Sequence, residues 1–69
     1  MVIYVGNIDR RSTEANVRSA FEAYGSVARV NLMGSFAFVE MTDDKQAQTA
    51  ISDLNDQGGW VVRTLAAMA

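Results

Sequence analysis

Residues 2–5, Val-Ile-Tyr-Val, are β-branched and aromatic, and Gly6-Asn7 breaks the run. Such a run predicts a strand of about four residues that ends in a turn. Thr13 then has the chemistry of a helix N-cap, with Glu14 in the first turn where the dipole favours an acid. Val17, Ala20, Phe21 and Tyr24 follow at helical spacing, and Gly25 stands where a left-handed C-cap falls. The first helix is therefore expected over 14–24. From Val27 to Leu32 the pattern alternates, with Val30 and Leu32 facing one way and Arg29 and Asn31 the other. Residues 36–41 alternate too: Ala37, Val39 and Met41 share one face, and Phe36, Phe38 and Glu40 the opposite one. With Met33, Gly34 and Ser35 between them, the two runs form a short hairpin.

A second helix should start at a Thr42 cap, with Asp43 and Asp44 in its first turn. Its buried face would be Ala47, Ala50, Ile51 and Leu54. By composition Asn55 to Gly59 is a loop and Trp60 to Val62 a short β-like run. The last strand is expected at Thr64 to Ala69, despite the poor strand propensity of its alanines. The order strand, helix, strand, strand, helix, strand is the ferredoxin-like βαββαβ arrangement, an α+β class. Four antiparallel strands would carry both helices on one face, to bury their apolar stripes, and leave the other face open.

That open face is where candidate chemistry collects. Ile3 and Val5 suit the core, so Tyr4 points outward, as do Phe36 and Phe38 in the third strand. In this topology the first and third strands are neighbours, so three rings meet on a solvent-facing surface. Soluble proteins rarely leave such a patch without a partner. Rings on a rigid sheet form a stacking platform for unpaired bases, at roughly 1–3 kcal/mol per stack. A register slip of one residue would turn the rings inward, but it would also expose Ile3, Val5, Ala37 and Val39.

The same residues carry a resemblance. Ile3-Tyr4-Val5-Gly6-Asn7-Ile8 resembles the shorter signature motif of RNA recognition motif domains. Gly34-Ser35-Phe36-Ala37-Phe38-Val39-Glu40-Met41 resembles the longer one. The likeness extends to Phe21-Glu22-Ala23-Tyr24-Gly25 and to Ala50-Ile51 and Leu54-Asn55. Residues 1–69 thus look like one such domain, similar to the small single-domain bacterial members. The resemblance implies that Tyr4, Phe36 and Phe38 stack on single-stranded RNA, with bases on Tyr4 and Phe38 and Phe36 near the sugars. Single-stranded DNA would suit the same platform. Two departures stand out. Gly34-Ser35 replaces the basic residue and glycine that usually open the longer motif, which removes a phosphate contact. Ala66 and Met68 occupy outward positions of the expected last strand where the family carries basic or polar residues.

Around the rings, Arg29 suits either a phosphate contact or a solvated surface. Asn7 and Asn31 suit either base edges or, near a turn, backbone hydrogen bonds. Trp60, Phe21 and Tyr24 read as packing residues, and Arg10-Arg11 as a solvated loop. A protein-interaction module using the same aromatic patch, or the helical face, is the alternative.

Composition narrows the field. The chain has 69 residues, 49% hydrophobic and 20% charged, which suits one globular domain. Cysteine and histidine are both absent, which excludes disulfides, ordinary zinc sites and the commonest general base. Gly58-Gly59 lacks the lysine and helix of a phosphate loop. Asp43-Asp44 are helix-start acids rather than a catalytic pair. No enzyme activity, cofactor or metal is expected. With no long apolar run and no signal-like start, no membrane association is expected and the chain reads as cytoplasmic, or nuclear for a eukaryotic source. The net charge of −2 is low for a nucleic-acid binder and favours the protein-interaction alternative somewhat. Acids on the helices need not weaken the opposite face, because charges beyond roughly 8–10 Å are largely screened at physiological salt.

Overall fold

The structure, a computed structural model, describes residues 1–57 and 59–64, and of residues 56 and 57 the backbone. The chain runs β1 (Val2–Gly6), α1 (Glu14–Glu22), β2 (Val27–Met33), β3 (Phe36–Met41), α2 (Asp44–Gln57) and β4 (Val61–Thr64). The strands form one sheet in the order β2-β3-β1-β4, with every pair antiparallel. This is the expected ferredoxin-like sandwich. Ile3, Val5, Val30, Ala37, Val39, Met41 and Val62 leave one face of the sheet and pack with Val17 and Phe21 of α1 and Ala47 and Ala50 of α2. All are buried. The parity of β1 and β3 is therefore as the alternation predicts. Trp60 stacks on Phe21 beneath the sheet, with ring centroids 6.5 Å apart and planes 11° apart.

The cap of α1 follows from its sequence. Thr13 Oγ1 accepts from the Asn16 amide at 3.2 Å, and Asn16 Oδ1 accepts from the Thr13 amide at 2.9 Å. This reciprocal pair satisfies two amides that the helix start would otherwise leave without partners. The end of α1 differs from the expectation. The helix stops at Glu22, and its C-cap Ala23 stays in the right-handed region. The positive-φ glycines are Gly34 and Gly59 among the described residues, so Gly25 is not a left-handed cap. Its lack of a side chain serves packing instead: a Cβ there would run into the Gln46 side chain of α2.

Three further boundaries move. Asp43, not Thr42, caps α2: its Oδ1 accepts from the Gln46 amide at 3.0 Å and its carbonyl from the Ala47 amide at 3.0 Å. Residues 55–57 continue α2 rather than forming a loop, and Asn55 Oδ1 accepts from the Val62 amide at 3.1 Å. The last strand starts at Val61, earlier than the expected Thr64, and is described over Val61–Thr64, where Val-Val-Arg-Thr suits an extended backbone. The expected strand residues 65–69, with Ala66 and Met68, lie outside the described residues.

β2 carries a register shift between Val27 and Arg29, where Val27 pairs with Met41 and Arg29 with Glu40. This bulge lets Val27 and Val30, three residues apart, both pack toward the core. The hairpin that follows is tight. Met33 pairs directly with Phe36, leaving the two-residue turn Gly34-Ser35. Gly34 has φ +80°, the geometry of a hairpin turn with glycine at its first central position.

Candidate nucleic-acid interface

The outer face of the sheet reads as three rows across the strands. In the middle row Asn31 of β2 pairs with Phe38 of β3, Phe38 with Tyr4 of β1, and Tyr4 with Arg63 of β4. In one flanking row Arg29 pairs with Glu40, and Glu40 with Val2. In the other, Met33 pairs with Phe36, and Gly6 with Val61. The structure thus brings Tyr4, Phe36, Phe38, Arg29 and Asn31 onto one surface.

The three rings are half-buried and touch one another. The Tyr4 centroid lies 6.2 Å from that of Phe36, with planes 25° apart, and 6.2 Å from that of Phe38, with planes 57° apart. Phe36 and Phe38 meet edge to face at 5.7 Å. Such contacts hold each ring in place before any ligand arrives. Gly6 contributes as well. A Cβ at Gly6 would come within 2.6 Å of the Tyr4 hydroxyl and 2.8 Å of its ring, so the bare glycine lets the tyrosine lie across the strand.

The polar members divide. Asn7 sits just past β1 with φ 60°, and its Nδ2 donates to the Gly59 carbonyl at 2.8 Å. That bond ties the end of β1 to the entry of β4 and gives the Asn7 amide a backbone partner. Asn31 and Arg29 are exposed on the edge strand β2. With Val2, Phe38 and Glu40 they line an open depression of about 200 Å³. Among the described residues, neither Arg29 nor Arg63 is held in an ion pair. Arg10 and Arg11 are exposed in the loop before α1.

Residue reasoning missed Arg63, Met33 and Val61 as members of this face. Arg63 was hidden by placing the last strand too late. Simple alternation through Val61-Val62-Arg63-Thr64, with Val62 buried, sets Arg63 beside Tyr4. Met33 and Val61 are 49% and 37% exposed and extend the apolar surface beyond Phe36. Acidic side chains lie mainly on the other layer, where Glu14, Glu22, Asp43, Asp44 and Asp53 are exposed on the helices or their caps.

The chain is similar to known proteins in sequence and in fold. The family model described as "RNA recognition motif" matches residues 3–58. RNA-binding protein RbpD of Nostoc sp. is 45% identical over 73 residues, covering 94% of this chain and 77% of that protein. Among solved structures, the crystal structure of RNA Binding Protein PG1 superposes with a TM-score of 0.86 at 33% identity, covering 91% of this chain and 90% of that one. The Sex-lethal protein/RNA complex gives a TM-score of 0.81 at 33% identity, covering 90% of this chain and 46% of that one. The fold, the two signature motifs and these matches agree, and the chain belongs to the RNA recognition motif family.

Proposed function

We propose that this chain binds single-stranded RNA on the outer face of its sheet. The observation that carries the reading is the cluster of Tyr4, Phe36 and Phe38, three touching rings on a solvent-facing surface beside two arginines without ion-pair partners among the described residues. Bases stack on Tyr4 and Phe38, and Phe36 packs near the sugars between them. Asn31 meets a base edge, Arg29 and Arg63 border the platform on its two sides, and Asn7 holds the rim in shape through Gly59. Every base has a π-face, so the platform also accepts single-stranded DNA.

The role is binding without chemistry, in a single domain over residues 1–69. Among the described residues no helix is long and apolar enough to cross a membrane. A cytoplasmic place fits the bacterial relative RbpD. A polypeptide on the same patch is not favoured, since the flanking guanidinium and amide groups match phosphates and base edges.

The test is titration of the ¹⁵N-labelled chain with a short random RNA. Shift changes should map to residues 2–6, 29–33, 36–40 and 61–64. Changes confined to α1 and α2, or none at all, would reject the outer face as the RNA site.

A further inference from the structure

We propose that the depression beside Phe38 selects guanine, with Glu40 and Arg29 as the residues that read it. The inference rests on the single-stranded RNA reading above and deepens it to the identity of one base.

Its starting point is a carboxylate in an unexpected place. Glu40 lies two residues after Phe38 in β3, so it leaves the sheet on the aromatic side. It is exposed, and it stands in register between Val2 of β1 and Arg29 of β2. Among the described residues its carboxylate makes no hydrogen bond or ion pair, even with the neighbouring Arg29. A carboxylate only accepts hydrogen bonds, and it repels phosphate. On a face that meets a polyanion, an unpaired carboxylate opposes backbone contact. It favours a partner edge rich in donors.

Of the four bases, guanine fits best. Its N1–H and N2–H₂ groups are adjacent donors that two carboxylate oxygens can accept together. Round the ring from that Watson–Crick edge lies the Hoogsteen edge, where O6 and N7 are the acceptors that an arginine fork takes in pairs. The two edges adjoin at O6, and Glu40 and Arg29 are likewise neighbours, since directly opposed side chains in an antiparallel sheet start about 5 Å apart. Adenine and cytosine each offer one amine without an adjacent ring donor. Uracil offers one N–H flanked by carbonyl oxygens that the carboxylate repels. Phe38 supplies the stack, Val2 an apolar wall and Asn31 a further donor and acceptor.

Fluorescence anisotropy with labelled RNA pentamers UUXUU tests this, where X is guanine, hypoxanthine, adenine or cytosine. The wild-type chain, Glu40→Gln and Phe38→Ala are compared, each checked for folding by its ¹H–¹⁵N spectrum. The wild type should bind the guanine pentamer about tenfold or more tightly than the adenine one, the scale of one good bidentate pair. Hypoxanthine lacks the N2 amine, so its pentamer should lose much of that advantage. Glu40→Gln should remove the guanine-over-hypoxanthine difference while leaving binding of the adenine pentamer unchanged or slightly raised. Equal binding of guanine and hypoxanthine by the wild type, or a guanine preference that survives in Glu40→Gln, overturns the inference. If Phe38→Ala then weakens every pentamer, the stacking reading stands without the guanine preference. If the wild type binds none of them, both fall.

Discussion

Tyr4 and Phe38 face each other across the two central strands, with ring centroids 6.2 Å apart and planes tilted by 57°. Each is flanked by the next polar residue in the same row, Arg63 beside Tyr4 and Asn31 beside Phe38. Their immediate chain neighbours Ile3, Val5, Ala37 and Val39 are buried on the opposite side. One pair of strands therefore anchors the core and presents the platform at once, and adjacent residues have separable effects.

Phe38→Ala should weaken RNA binding by about 1–3 kcal/mol, the range for one lost stack, and Tyr4→Ala should act similarly. Both variants should stay folded, because neither ring fills the core. Val39→Ala, one residue away, should lower stability by roughly 1–3 kcal/mol through a cavity and alter binding only through unfolding. Urea denaturation and RNA titration of the three variants check this. A silent Val39→Ala together with an unfolded Phe38→Ala would mean an inverted register.

Gly6→Ala offers a subtler probe of the same platform. The added methyl group would meet the Tyr4 ring at 2.6–3.0 Å, so the ring must move. A tyrosine ring on an open face can swing away, and the fold should survive. The expected result is a loss of RNA affinity within the range of one disturbed stack, at most about 3 kcal/mol, with a smaller change in the urea midpoint. Unchanged affinity would show that the Tyr4 position over Gly6 is not the binding position.

The legibility of this chain followed the strength of its local patterns. Residues 36–41 alternate without a break, so both the strand and the outward rings could be read from parity alone. The Thr13–Asn16 cap was legible at Thr13 because few residue types serve there. At Thr42-Asp43 two capable cap residues are adjacent, and only the hydrogen bond to the Gln46 amide distinguishes them. Asn55 to Gln57 read as loop because polar helix ends and loops share a composition. The contact from Asn55 to Val62 is tertiary and leaves no trace in a window of neighbouring residues. Misplacing the last strand then concealed Arg63, since a side chain's face depends on which residues pair. Gly25 stands where a helix cap is expected, but its use is the approach of Gln46 from the other helix, which a local pattern does not encode.

Tyr24 provides a pH handle on the helical layer. Burial first, and then the Asp53 carboxylate that accepts its hydrogen bond, raise the phenol above its ordinary value of 10.0. The folded state therefore holds this proton more tightly than the unfolded chain. The resulting stability is fully present below pH 10 and is lost as pH rises through the raised value. Urea midpoints of the parent chain should fall between pH 9 and the alkaline limit by more than those of Tyr24→Phe, which has no proton to lose there. Parallel curves for the two proteins would remove Tyr24 as the cause.

RNA binding by this face should depend only weakly on salt. The platform carries Arg29 and Arg63 at its two sides, while the exposed acids of α1 and α2 lie on the other layer. For single strands the slope of log K against log salt is about −0.7 per neutralised phosphate. One or two arginine–phosphate contacts give a slope of roughly −0.7 to −1.4, shallow for a nucleic-acid binder. Arg63→Gln should make the slope shallower by about 0.7, because it removes one contact. Phe38→Ala should lower affinity at every salt concentration and leave the slope alone, since stacking releases no counterions. A measured slope near −4 would require about six phosphate contacts, more than this face can supply. The RNA would then have to engage a second surface, for which Arg10 and Arg11, exposed in the loop before α1, supply two adjacent cations.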